Sequence, residues 1–306
     1  MTDPTLRRRL TGVFTALVTP FRGGAVDVPA LEQLIEAQIA AGIAGLVPVG
    51  TTGEAATLSD DEAEAVIRTT VQAAAGRAFV MAGAGSNATR LAIAKAERAK
   101  AAGAEGLLLV TPYYNKPSQD GLFDHFSAIA DSVELPIMLY SVPGRAGVEI
   151  APATAARLAA AHPNIVGIKE AGGRVERVTE LRLALGPDFI IHSGDDGLTL
   201  PFLAMGADGV TSVASNLLPA EVVALCRAWF AGDPREARRI HESLFDLVGH
   251  LFIESNPVPV KTALARTGRI GPELRAPLAA LRPENRKALE ASLQAFEGRA
   301  HLQENR

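Results

Sequence analysis

The sequence predicts an α/β chain closed into a (β/α)8 barrel and followed by a C-terminal helical extension. Three observations carry this reading. Short apolar runs ending in Gly, Thr, Ser, Asn or Pro alternate with longer segments of helical period, the rhythm of βα units around a parallel sheet. The runs are continuous rather than alternating in apolarity, as expected where both faces of a sheet are buried. There are about eight of them, whereas an open doubly wound sheet more often has five or six.

Taken in order, the strands are expected over residues 13–18, 45–49, 78–82, 106–110, 136–140, 165–169, 189–192 and 209–213. Between them lie amphipathic segments. In residues 29–41, Leu31, Leu34, Ile35 and Ile39 share one helical face, and residues 60–75 follow Ser59, a natural N-cap. Beyond residue 213 strand signals stop. Residues 219–230, 234–252, 257–267 and 283–296 read as helices, the first being the eighth barrel helix. Asn256-Pro257 reads as an N-cap followed by proline at the first helical position. Residues 1–231 are therefore expected to form the barrel with its catalytic site and residues 232–306 the extension, with a frayed tail from 301 to 306.

The 306 residues, 48% hydrophobic and 21% charged, suffice for one large core. A formal net charge of -4 leaves no global positive field to gather nucleic acid or anionic membrane, so neither is expected as a partner. Cys226 is the sole cysteine, which excludes an intrachain disulfide and a multi-cysteine metal site and suits a reducing cytoplasm. Arg7, Arg8 and Arg9 precede a strand-like run rather than the apolar segment of an export signal. Apolar stretches stop well short of the roughly 20 residues of a membrane helix. A soluble cytoplasmic protein is expected.

Barrel chemistry sits at the carboxyl ends of the strands. The second run ends in Gly50-Thr51-Thr52-Gly53-Glu54, the fourth in Thr111-Pro112-Tyr113-Tyr114-Asn115, the fifth in Tyr140 and the sixth in Lys169-Glu170. A strand-end lysine ordinarily reaches solvent or an ion pair. Lys169 is set among Ile165, Val166 and Ile168, and apolar walls favour the neutral amine that acts as nucleophile. The other lysines lie on helices or in a polar loop, Lys261 and Lys287 on the C-terminal helices. Tyr140, otherwise a rim tyrosine, should project beside Lys169, where a phenol can move the protons that carbinolamine formation and dehydration require. Thr51 could extend that shuttle, or act only as a local hydrogen bonder. The Gly50–Glu54 turn lacks the Gly-Lys-Ser/Thr ending of a phosphate loop and offers N–H groups and hydroxyls suited to a carboxylate. Arg145 either pairs with Glu149 at the surface or forks a substrate carboxylate. Asp195 and Asp196 read as capping acids, and the six histidines show no metal-ligand spacing.

Thr15-Ala16-Leu17-Val18-Thr19-Pro20-Phe21, Gly50-Thr51-Thr52-Gly53-Glu54, Thr111-Pro112-Tyr113-Tyr114-Asn115-Lys116-Pro117, Tyr140 with Pro143-Gly144-Arg145, Gly167-Ile168-Lys169-Glu170-Ala171 and Ser193-Gly194-Asp195-Asp196 together resemble the dihydrodipicolinate synthase family. That family includes N-acetylneuraminate lyase and related keto-acid aldolases, and the likeness covers nearly the whole chain. It implies a lyase in which Lys169 forms a Schiff base with pyruvate, while Tyr140, Thr51 and a Tyr114 lent by a neighbouring subunit relay protons. Thr52 would hold the pyruvate carboxylate, with Gly194 and Thr211 also at the substrate. The Pro-Gly-Arg turn after Tyr140 and the Asn256-Pro257-Val258-Pro259-Val260-Lys261 segment resemble the synthase branch. Arg145 would then hold the carboxylate of L-aspartate 4-semialdehyde, the product would be 4-hydroxy-tetrahydrodipicolinate, and the step would lead to diaminopimelate and lysine. The nearest alternative is another 2-keto-acid aldolase or dehydratase of the same scaffold. No metal or organic cofactor is implied, because the iminium is the electron sink, and the implied assembly is a homotetramer built as a dimer of dimers. Ser141, Ala146 and Thr211 depart from the usual family residues, at positions expected near the pocket that chooses the aldehyde.

Overall fold

The computed structural model describes residues 3–304. Eight parallel strands close into a barrel: β1 (Gly12–Ala16), β2 (Gly45–Val47), β3 (Phe79–Gly83), β4 (Gly106–Val110), β5 (Ile137–Ser141), β6 (Ile165–Glu170), β7 (Ile190–Ser193) and β8 (Gly209–Ser212). Each pairs with the next in sequence, and β8 closes on β1 with Phe14 opposite Thr211. All eight expected strands are present, with ends shifted by at most two residues. The shifts have a physical cause: residues such as Pro48, Val49 and Val213 are apolar and buried but turn away from the ladder once the loops begin.

Eight helices cover the barrel: α1 (Val28–Ala40), α2 (Asp60–Ala74), α3 (Thr89–Ala101), α4 (Gln119–Ser132), α5 (Pro152–Ala161), α6 (Glu176–Leu185), α7 (Thr199–Ala204) and α8 (Pro219–Phe230). Ser59 caps α2 as expected, and the cap is reciprocal: its hydroxyl accepts from Glu62 N while the Glu62 carboxylate accepts from Ser59 N. Leu31, Leu34 and Ile35 of α1 are buried against the sheet. Two apolar layers result. The larger lies between sheet and helices, and a second, containing Phe14, Phe79, Met81, Met138, Val166 and Ile190, fills the barrel.

The N-terminal arginines latch the amino ends of the strands. They sit on a helix, Pro4–Arg9, whose Arg7 pairs with Asp208 at 2.8 Å and whose Arg9 stacks on Phe79. Leu10, fully buried, continues the inner core at that end.

The extension consists of α9 (Pro234–His250), α10 (Val258–Arg266) and α11 (Pro283–Glu304). The expected tail from residue 301 is helical as far as Glu304, and residues 305–306 lie outside the described residues. Asn256-Pro257 is not the expected cap of α10: Pro257 occupies the cap position, and the Asn256 side chain is used elsewhere. No helix of the described residues is long and apolar enough to cross a membrane.

Candidate active site

β5 and β6 pair with Tyr140 opposite Lys169, so both side chains leave the sheet on the same face. Lys169 Nζ stands 4.3 Å from the centroid of the Tyr140 ring. Both open into a cavity of about 190 Å3 at the carboxyl ends of the strands, with Ala16, Val47 and Leu108 as apolar lining and Thr51, Thr52, Arg145, Gly194 and Asn256 as its polar or close-approach positions.

The strand ends are held from behind. Glu170, next to Lys169 and on the opposite face, is fully buried, and its carboxylate receives Arg177 Nη2 at 3.1 Å and Gly172 N at 2.8 Å. Burial raises the Glu170 pKa, and the Arg177 guanidinium pulls it back. The same Nη2 also donates to Ile150 O at 2.8 Å, so one buried arginine ties the end of β6 to the loop following β5. Gly194 is obligatory by close approach: a Cβ there would lie 2.6 Å from the Ala171 Cβ and 3.0 Å from Lys169 Cε.

The Gly50-Thr51-Thr52-Gly53-Glu54 turn is bracketed by left-handed residues, Val49 at φ 57° and Glu54 at φ 54°. For a β-branched valine that conformation is costly and persists only where the surroundings over-determine it. They do so through Gly83, where a Cβ would overlap the Val49 carbonyl, and through Thr19, whose hydroxyl donates to Gly53 O at 2.8 Å.

Of the expected site residues, the structure brings Lys169, Tyr140, Thr51, Thr52, Arg145 and Gly194 together. Tyr114 is not at its own chain's cavity. It is 89% exposed and holds φ 73°. Thr211 is not among the residues lining this cavity: it is buried, its hydroxyl lies 3.1 Å from His192 Nδ1, and Val213 two residues on lines the cavity. Ser141 and Ala146 are likewise withdrawn from the lining, Ser141 accepting from Ile150 N through its hydroxyl. Arg145 is exposed at the cavity mouth but does not pair with Glu149. Glu149 faces Arg174 and Arg177, while Arg145 donates to Asn256 O at 3.2 Å. Asp195 and Asp196 act as caps, Asp195 for Gly197 N and Asp196 for Val213 N and Ala214 N.

Sequence reasoning missed what the extension supplies. Phe252 and Asn256 line the cavity. Lys261, expected on an ordinary helix, is more deeply buried than Lys169, at 1% against 5% exposed. Its Nζ donates to Thr19 O at 2.9 Å and to Glu54 Oε1 at 2.5 Å. Burial lowers the Lys261 pKa, against the pull of Glu54. The available signal was the apolar run around it, Val258, Pro259, Val260, Ala263 and Leu264, all buried.

Comparison with known proteins covers the same span. The chain is 52% identical over 287 residues to the 4-hydroxy-tetrahydrodipicolinate synthase of Nitratidesulfovibrio vulgaris strain DP4, covering 94% of this chain and 98% of that protein. It is 50% identical over 292 residues to the enzyme of the same name from Sorangium cellulosum strain So ce56, covering 95% and 97%. Among solved structures, the 4-hydroxy-tetrahydrodipicolinate synthase of the thermoacidophilic methanotroph Methylacidiphilum fumariolicum SolV superposes with a TM-score of 0.95 at 52% identity, over 96% of this chain and 98% of that one. A family match running from residue 9 to residue 296 takes in the barrel, its cavity and the helices that close it, and the chain belongs to the dihydrodipicolinate synthetase family.

Proposed function

We propose that Lys169 is the Schiff-base residue of a lyase that condenses pyruvate with L-aspartate 4-semialdehyde to give 4-hydroxy-tetrahydrodipicolinate, in the synthesis of diaminopimelate and lysine. The observation that carries this reading is the buried amine of Lys169, which faces a cavity and, among the described residues, has no carboxylate partner. Nζ adds to the keto carbon of pyruvate, the carbinolamine loses water, and the resulting iminium accepts the electrons released when a methyl proton leaves. The enamine carbon then attacks the aldehyde, and the amino group of the semialdehyde adds to the iminium carbon, closing the ring and expelling Lys169 Nζ as the free amine. Tyr140 and Thr51 line the cavity with Lys169 and supply hydroxyls for the proton transfers. Tyr114 of the partner subunit completes the relay. Its exposure and strained backbone support a role outside its own chain.

Thr52 holds the pyruvate carboxylate and Arg145 that of the semialdehyde; Gly194 leaves room for the iminium. The functional unit is a homotetramer, a dimer of dimers, in the cytoplasm. Residues 1–231 form the catalytic barrel and residues 232–306 an extension that completes its rim.

Borohydride reduction in the presence of pyruvate, followed by peptide mass spectrometry, tests the reading. The expected adduct is on Lys169. An adduct on another lysine, or none, overturns it.

A further inference from the structure

Asn256 stands where the two carboxylate-binding positions meet. It lies between α9 and α10, lines the cavity and is 8% exposed. Its Nδ2 donates to Thr52 Oγ1 at 2.9 Å, and its backbone carbonyl accepts from Arg145 Nη2 at 3.2 Å. Its Oδ1 is buried and has no hydrogen-bond partner among the described residues. The two settings of this amide are unequal. Turned the other way, it would leave a buried N–H unpaired in place of a carbonyl oxygen, and orphaned buried N–H groups are the rarer and costlier case. The segment is held in place from below, since Val258 N donates to Ser255 O at 2.9 Å and Lys261 is pinned to Thr19 and Glu54.

A threonine hydroxyl has one O–H and two lone pairs. At Thr52 a lone pair is taken by the Asn256 amide, and the hydroxyl donates to no group among the described residues. Its hydrogen is left for the cavity, where it serves a ligand atom that accepts and never donates, as a carboxylate oxygen does. We propose that Asn256 is the positioning residue that gives Thr52 this donor polarity and, through its own carbonyl, sets Arg145 relative to it. The inference rests on the reading of Thr52 as the pyruvate-carboxylate receptor. It makes one residue of the extension responsible for restricting the first substrate to 2-keto acids with a free carboxylate.

The test is the pyruvate concentration giving half-maximal borohydride trapping at Lys169, measured together with the maximal trapping rate. Asn256→Asp has nearly the same shape but only accepts, so the Thr52 O–H turns to it and a lone pair faces the cavity. Half-saturation should rise about 100-fold, with the maximal rate within about threefold of the parent. Asn256→Ala keeps the backbone carbonyl and should raise half-saturation about five- to tenfold, but less than twofold in a Thr52→Val background. Half-saturation within twofold of the parent for Asn256→Asp overturns the inference, as does an undiminished effect of Asn256→Ala beside Thr52→Val. A fall confined to the maximal rate does the same, since that is what loosened structure alone produces. A parent trapped with pyruvate at Lys169 while Asn256→Asp binds normally removes only this inference. A parent that is not trapped at all removes the Schiff-base reading with it.

Discussion

Lys169 and Lys261 make a natural pair. Both are nearly inaccessible, and each ammonium position lies 4.3 Å from the centroid of an aromatic ring, Tyr140 for one and Phe21 for the other. They differ in what else is within reach. Lys261 meets the Glu54 carboxylate and the Thr19 carbonyl in a closed, fully partnered site, with the second carboxylate oxygen of Glu54 taken by Arg275 N at 3.0 Å. Lys169 meets a cavity, and the carboxylate next to it in sequence is turned away and occupied by Arg177. Burial by itself does not make a nucleophile. A buried lysine with an anion beside it is a structural tie, and one facing unfilled space is available for chemistry.

The largest effects separate the two. Lys169→Ala should lower the condensation rate at least about 10,000-fold, because the covalent step has no substitute, while thermal unfolding stays close to that of the parent. Lys261→Met should do the reverse, costing about 3–5 kcal/mol in chemical unfolding by stranding the Glu54 carboxylate, with trapping still confined to Lys169. Adding Glu54→Gln should restore part of that stability. A Lys261→Met protein as stable as the parent would end the structural reading of this pair.

A gentler change sharpens the comparison from the side of geometry. Gly194→Ala places a methyl group against Ala171 and Lys169 Cε without touching any hydrogen bond of the lysine. Displacing a reacting group by about 1 Å can cost around 100-fold, so kcat should fall by about 10- to 100-fold, alongside a stability loss of about 1–3 kcal/mol from the overpacking. Parent-like kcat would show that Lys169 has slack the packing does not suggest.

A further effect, seen only on lowering the pH, concerns a third solution to burial, neutrality. His192 is paired in register with Lys169 across β6 and β7 and is fully buried, and His125 is buried on α4. Burial lowers both pKa values to about 4. The unfolded chain, near the ordinary histidine value of about 6.5, therefore binds more protons than the folded one between these limits. Their contribution is fully present above about pH 6.5 and is lost as pH falls toward about 4. The loss is at most roughly 2 kcal/mol for fully buried His192 between pH 7 and pH 5 and smaller for His125, measurable as a shift in urea midpoint. His125→Gln should remove the smaller part of the histidine share, and an unchanged pH dependence would exclude it from the balance.

Much of this molecule is legible in its sequence, for reasons that are local. Barrel strands buried on both faces must be continuously apolar, helices must present one apolar stripe, and a chain that alternates them eight times closes on itself. Lys169 and Tyr140 could be placed side by side because each ends its run and neighbouring parallel strands end at one rim. The Ser59 cap follows the same logic, being set by residues three apart. How far Thr211 stands from the rim could not be read in advance, because it depends on the stagger of β8 against β7 and β1, which no single strand encodes. Asn256 was mistaken for a cap because its sequence neighbours suit one, whereas its amide is claimed by Thr52, 204 residues away in the chain.

The sequence by itself determined the repeating units, the polar strand ends and the lysine at the end of β6, because these depend on apolar periodicity and on contacts within a few residues. Only the tertiary structure decided which buried lysine is paired and which is open, that Arg177 holds Glu170, and that the extension reaches over the rim to Thr52 and Arg145. Those facts arise where segments distant in sequence bury charge and hydrogen-bonding groups together, and in such places the partner, not the residue type, settles what a side chain does.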